Sequence, residues 1–165
     1  MMPALIEKTR FQNSFVRGSK VLRKGRISME NQVYFITFKT KDRQPIFNNF
    51  ENGKACCRHI SDSKAWPSAS LLCWVLMPDH FHGLVQLNSQ EPLEMAIQRF
   101  KAHLTRSFNL SFQTSQTLWQ PGFHDYALRK ETDLLGVARY IVMNPVRAKL
   151  CRRLGDYPFW NAVWF

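Results

Sequence analysis

Two apolar runs of strand character, residues 71–76 and 80–87, are separated only by Met77-Pro78-Asp79, and the second opens with His80-Phe81-His82-Gly83. A gap this short, with Pro-Asp at its centre, predicts a β-hairpin. Strand side chains alternate between faces, so His80 and His82 are expected to point the same way and Phe81 into the opposite core. Two imidazoles side by side on a rigid strand form half of a divalent-metal site. Strand histidines also simply hydrogen-bond, so the pair needs partners elsewhere in the chain.

Periodicity around the hairpin sets the remaining elements. Val33-Tyr34-Phe35-Ile36-Thr37-Phe38-Lys39 is rich in β-branched and aromatic residues and reads as a first strand. A helix is expected over about 49–63, closed by Trp66-Pro67-Ser68. Within 91–108, Leu93, Ile97, Phe100, Leu104 and Phe108 recur at helical spacing, with Arg99, Lys101 and Arg106 largely outside that stripe. Residues 111–117 read as a loop and 123–129 as a fourth strand, and Thr132 with Asp133 starts a helix running to about Met143. This order predicts an α+β fold: a ferredoxin-like, antiparallel four-stranded sheet with packed helices. Residues 31–165 are expected to form one domain behind a basic arm at 1–30. The tail carries Tyr157, Phe159, Trp160, Trp164 and Phe165 and has two readings, a plug for the core or a flap over the site.

Charge narrows the partners. The 165 residues hold 23 Lys and Arg against 12 Asp and Glu, a net charge of +11 that attracts polyanions, nucleic acid foremost. In the arm, Arg17, Arg23 and Lys24 alternate with apolar residues and suit either a solvated face or a DNA-tracking segment. No apolar run reaches the ~20 residues of a spanning helix, so a membrane role is not expected. Cys56, Cys57, Cys73 and Cys151 fit neither a zinc ribbon nor a disulfide framework, and the first residues lack a signal-peptide core. A cytoplasmic setting is expected. His59 and His103 fall on predicted helices without an evident partner and read as surface or packing residues.

The helix after Thr132 offers the histidines company. Its apolar side uses Leu134, Val137, Ala138 and Ile141, while Tyr140 and Asn144, four residues apart, share another face. Each has an ordinary alternative. Tyr140 could pack half-buried, and Asn144, standing before Pro145, could cap a new helix with its side-chain oxygen.

Met77-Pro78-Asp79-His80-Phe81-His82, then Trp119-Gln120 with Phe123-His124-Asp125, then the run from Tyr140 through Asn144-Pro145 to Ala148, together resemble the REP-associated tyrosine transposases over roughly residues 30–153. These are relatives of the HUH single-strand DNA transposases. The resemblance implies an HUH nuclease fold, a Mg²⁺ or Mn²⁺ ion, and cleavage and joining of single-stranded DNA beside palindromic hairpins with an unpaired flank. It also implies a nucleoid-associated bacterial protein that acts as a monomer without a small-molecule cofactor. By position it makes His80 and His82 metal ligands, Tyr140 the nucleophile and Asn144 the third ligand. Asp79 departs from the Asn usual in the family and adds negative charge where a phosphate would sit. His124 is expected to touch DNA or to hold its strand in place. Arg147, Lys149, Arg152 and Arg153, with Lys101 and Arg106, are expected to clamp phosphates. The rival reading is a module of the same layout that binds single-stranded nucleic acid without cutting it.

Overall fold

The two runs around Pro78-Asp79 pair as their spacing requires. In the computed structural model, which describes residues 30–129 and 133–164, β2 (Ala69–Met77) and β3 (His80–Leu87) run antiparallel, with Met77 opposite His80 and Val75 opposite His82. On the other side of β3 lies β1 (Val33–Lys39), which sets Thr37 opposite His82 and Phe38 opposite Phe81. The hairpin's second strand is therefore the centre of an antiparallel sheet ordered β4-β1-β3-β2-β5, with β4 at His124–Ala127 and β5 at Trp160–Ala162.

The fold is α+β as expected, with five strands instead of four. The fifth comes from the aromatic tail, which pairs Ala162 with Cys73 and Trp160 with Val75. Three residues are too few to show a period-two pattern, so the sequence does not announce this strand.

Helices cover both faces. α1 (Phe50–Ile60) and α2 (Leu93–Phe112) pack on the side that receives Phe38, Phe81 and Leu76. α3 (Leu134–Val142) packs Val137, Ala138 and Ile141 on the other side, against Phe35, Val75 and Leu84. The Asn49 side-chain oxygen starts α1 by accepting from the Glu51 and Asn52 amides at 3.0 and 3.2 Å. α2 runs past its apolar stripe to Phe112, taking in Ser111 and Phe112, where a loop is expected from the sequence, and left-handed Gln113 (φ 52°) ends it. Arg17, Arg23 and Lys24, Thr132 and Phe165 lie outside the described residues.

The part of the tail around Phe159 and Ala162 belongs to the core. Phe159 is buried, and its ring lies so close to α1 that a Cβ on Gly53 would come within 2.4 Å of it. The Tyr157 hydroxyl donates to the Leu76 carbonyl at 2.6 Å. Replacing Phe159 by Ala is expected to lower stability in urea unfolding by about 3–5 kcal/mol. Gly53→Ala should destabilise by the reverse route, forcing the ring out. Truncation after Gly155 deletes both Phe159 and β5, and soluble protein should be lost; a soluble, more active truncation would instead make the tail a flap.

Candidate active site

His80 and His82 emerge on the face of the sheet that carries α3. Their Nε2 atoms lie 3.0 Å apart. Each ring is held through its other nitrogen: His80 Nδ1 stands 2.5 Å from Asp79 Oδ1, and His82 Nδ1 stands 2.7 Å from Thr37 Oγ1. An ionised carboxylate only accepts, so His80 carries its proton on Nδ1 and turns the Nε2 lone pair toward His82. Two convergent imidazole nitrogens, each oriented from behind, form a donor set that fits a divalent cation.

Electrostatics favour the ligating form. Burial pushes His82 down to about 3, helped by His80 beside it, and burial also lowers His80 against the pull of Asp79. Both rings are neutral at neutral pH, as metal binding requires. Burial alone would raise the Asp79 carboxyl, but hydrogen bonds from His80 and Arg43 outweigh it and hold it below the ordinary carboxylate range. Arg43 donates to Asp79 Oδ2 from Nε at 3.0 Å and Nη2 at 2.9 Å. The negative charge expected to disturb a phosphate is thus balanced by a cation.

Tyr140 lines one hollow with His82, Phe35, Thr37, His124, Asp125 and Tyr126. Phe35 links the two key rings, stacked on His82 at 5.5 Å and edge-on to Tyr140 at 6.3 Å. The Arg147 guanidinium sits over the Tyr140 ring, 4.3 Å from its centroid. Asn144 does not line this hollow, and it is not an N-cap. It is the first residue of a short helix, α4 (Asn144–Arg147), with Met143 in the cap position. Its amide nitrogen instead donates to the carbonyls of Tyr140 (3.0 Å) and Ile141 (3.1 Å), closing the end of α3. Capping therefore uses the nitrogen and not the oxygen that would ligate a metal.

The expected phosphate clamp is divided. Arg147, Lys149, Arg152 and Arg153 are exposed just after Tyr140's helix, with Arg153 paired to Asp156 at 3.2 Å. Lys101 and Arg106 belong to α2, across the sheet. Lys101 has a structural use instead: its ammonium donates to the carbonyls of Gln120 (2.6 Å) and Gly122 (2.9 Å), and burial pushes it down to about 8. His124 is exposed and stands opposite Thr37 at the rim of the hollow. Sequence reasoning missed Thr37, Lys39 and Arg43. Thr37 and Lys39 are the polar positions on an otherwise apolar strand face, with Lys39 in register with His80, and that pattern was the available signal.

His82 also makes stability depend on pH. An unfolded imidazole titrates near 6.5, well above the folded value, so the unfolded chain binds the extra proton between the two. The contribution of neutral His82 is complete above about pH 6.5 and is lost as pH falls toward 3. In metal-free buffer the slope should approach about 1.4 kcal/mol per pH unit, read by urea unfolding. His82→Asn should flatten it; an unchanged slope would assign the titration to another group.

Known proteins resemble this chain in sequence and in fold. The family described as "Transposase IS200 like" matches residues 28–144, which include the hairpin, Tyr140 and Asn144. The REP-associated tyrosine transposase of Escherichia coli K12 is 28% identical over 87 residues, 52% of this chain, and the match spans 50% of that relative's length. A Haemophilus influenzae protein, provisionally named a REP-associated tyrosine transposase, is 27% identical over 143 residues, 77% of each chain. A solved REP-associated tyrosine transposase bound to a REP hairpin shares the fold, with a TM-score of 0.61 at 20% identity over 82% of this chain and 79% of that one. With the family match covering most of the sheet and both halves of the site, the chain belongs to the IS200-like transposases, where its relatives are REP-associated tyrosine transposases.

Proposed function

We propose that this chain is a metal-dependent single-strand DNA endonuclease and strand transferase that acts beside REP-type hairpins through a covalent link to Tyr140. The supporting observation is the shared hollow: the His82 imidazole and the Tyr140 phenol line it, and His80 Nε2 meets His82 Nε2 at 3.0 Å. His80 and His82 would hold Mg²⁺ or Mn²⁺, and the Asn144 side-chain oxygen, outside the hollow's lining but left over by the capping, would be the third donor. When bound, such an ion would neutralise charge on a non-bridging oxygen of the scissile phosphate. His80 is aimed by Asp79 and His82 by Thr37, so both ligands are oriented before any ion arrives.

Tyr140 Oη attacks the scissile phosphorus, forming an Oη–P bond as the P–O3′ bond breaks. The electron pair leaves on O3′, which gains a proton as the phenol loses one. The products are a 5′-phosphotyrosine and a free 3′-OH, and the reverse attack rejoins the strand with no external energy source. Arg147, stacked on the Tyr140 ring, supplies a fixed positive charge beside the incoming phosphate. Lys149 and Arg152 extend that charge along the backbone of the DNA. The hairpin itself is suggested by the relative bound to a REP hairpin. The reading takes the chain to act as a monomer.

The test is a denaturing gel after incubation with Mn²⁺ and labelled hairpin DNA carrying single-stranded flanks. A protein–DNA band is expected, absent in Tyr140→Phe and lost with EDTA. Binding without an adduct on any hairpin tried would make the chain a binding module. Arg147→Ala should slow adduct formation about 10–100-fold, the equivalent of a ~1.5–3 kcal/mol charge-assisted bond. Asp79→Ala should weaken Mn²⁺ affinity by about 10–100-fold, since it releases the His80 ring.

A further inference from the structure

Across the sheet from this hollow, two histidines read from sequence as unpartnered come together. His59 lies in the last turn of α1, Asp62 follows two residues after that helix ends, and His103 sits midway along α2. One ligand atom from each of the three lies within 4.8 Å of the others. We propose that His59, Asp62 and His103 bind a second cation, a transition metal of the Zn²⁺ class, that clamps α1 to α2.

Three observations carry this. The first is a distance: His103 Nε2 and Asp62 Oδ2 are 3.4 Å apart. That is longer than an ordinary N–H···O bond of about 2.7–3.2 Å. It matches the ~3.3–3.4 Å edge of a tetrahedron whose metal–ligand bonds are about 2.0–2.1 Å. The second is an orphan, because His103 Nε2 is shielded from solvent and has no hydrogen-bond partner. A buried polar atom close to a carboxylate and within reach of another imidazole, yet hydrogen-bonded to neither, suits a metal ligand. The third is orientation. The Lys64 amide donates to Asp62 Oδ1 at 2.9 Å, which fixes the carboxylate with Oδ2 on the His103 side.

The donor chemistry selects the metal. Two imidazoles and one carboxylate suit Zn²⁺ and its neighbours better than Mg²⁺ or Ca²⁺, which take mostly oxygen. Three protein ligands leave a fourth position for water. The ion would tie together helices that pack around Cys56, Ile60, Phe100 and Leu104. The site is separate from the histidine pair, because Phe81 directs its ring to this face while His80 and His82 point away.

The inference does not rest on the nuclease reading. Its test is Zn²⁺ stoichiometry by equilibrium dialysis on the full chain, with Co²⁺ absorption as a probe of geometry. His59→Gln/His103→Gln should bind one Zn²⁺ fewer per chain and lose the tetrahedral Co²⁺ bands, while still forming the Tyr140–DNA adduct. Zn²⁺ should raise the melting temperature of the wild-type chain more than that of the double variant. Should the double variant melt early in EDTA, Asp62→Asn alone supplies the same comparison. Unchanged stoichiometry in these variants, or Co²⁺ bound only in octahedral form, would reduce the trio to an ion pair and overturn the proposal.

Discussion

Phe81 is fully buried between the rings of Phe38 and Phe100, at 4.9 and 5.4 Å, and it is flanked in sequence by both histidines of the site. Because strand side chains alternate, burying this one ring determines which way His80 and His82 face. A slip of one residue would expose a phenylalanine worth roughly 1.5–3 kcal/mol of burial and drive two imidazoles into an apolar core. Gly83 completes the arrangement: a Cβ there would meet the Phe81 ring at 2.7 Å, so the position after the second histidine has no room for a side chain. The apolar centre of His-Phe-His-Gly is thus what makes its polar flanks usable.

What the sequence makes legible is local. The hairpin and the facing of its histidines follow from spacing over a few residues. The parts it hides depend on register or packing across the chain. Thr37 reaches His82 over 45 positions and Arg43 reaches Asp79 over 36, and neither pairing leaves a periodic trace. His59 and His103 look unpartnered along the chain because their meeting is decided by how α1 packs on α2. Asn144 is instructive for a different reason. Both of its expected uses named the side-chain oxygen, whereas the structure employs the nitrogen.

The count of 23 Lys and Arg overstates the cations that a ligand would find unengaged. Lys101 is turned to two backbone carbonyls, and Arg99 forks onto Glu91. Arg43 pairs with Asp79 at the turn; with the arginine more than half exposed, the pair contributes little stability. Its consequence is positional. The carboxylate it steadies is the one that orients His80, so an exposed arginine acts on the site through two hydrogen bonds in series. Composition counts cations correctly and says nothing of which are already engaged.

The two halves of the site stand on different supports. The histidines are built into the central strand, paired on both sides and anchored by Phe81. Tyr140 is carried by a nine-residue helix that ends at Val142, and Asn144 and Arg147 follow in the short helix joined to it. The joint is tight: the Arg147 amide donates to the Met143 carbonyl at 3.0 Å, and the Asn144 side chain bonds the Tyr140 carbonyl at 3.0 Å. A shift of α3 on the sheet would therefore carry the phenol, the amide and the guanidinium together, past an imidazole pair that cannot follow. On the proposed reading, that is a useful division. Joining requires the attack to run backward on the same phosphate, and the charge that assists Tyr140 in forming the ester stays stacked on its ring when the ester is broken.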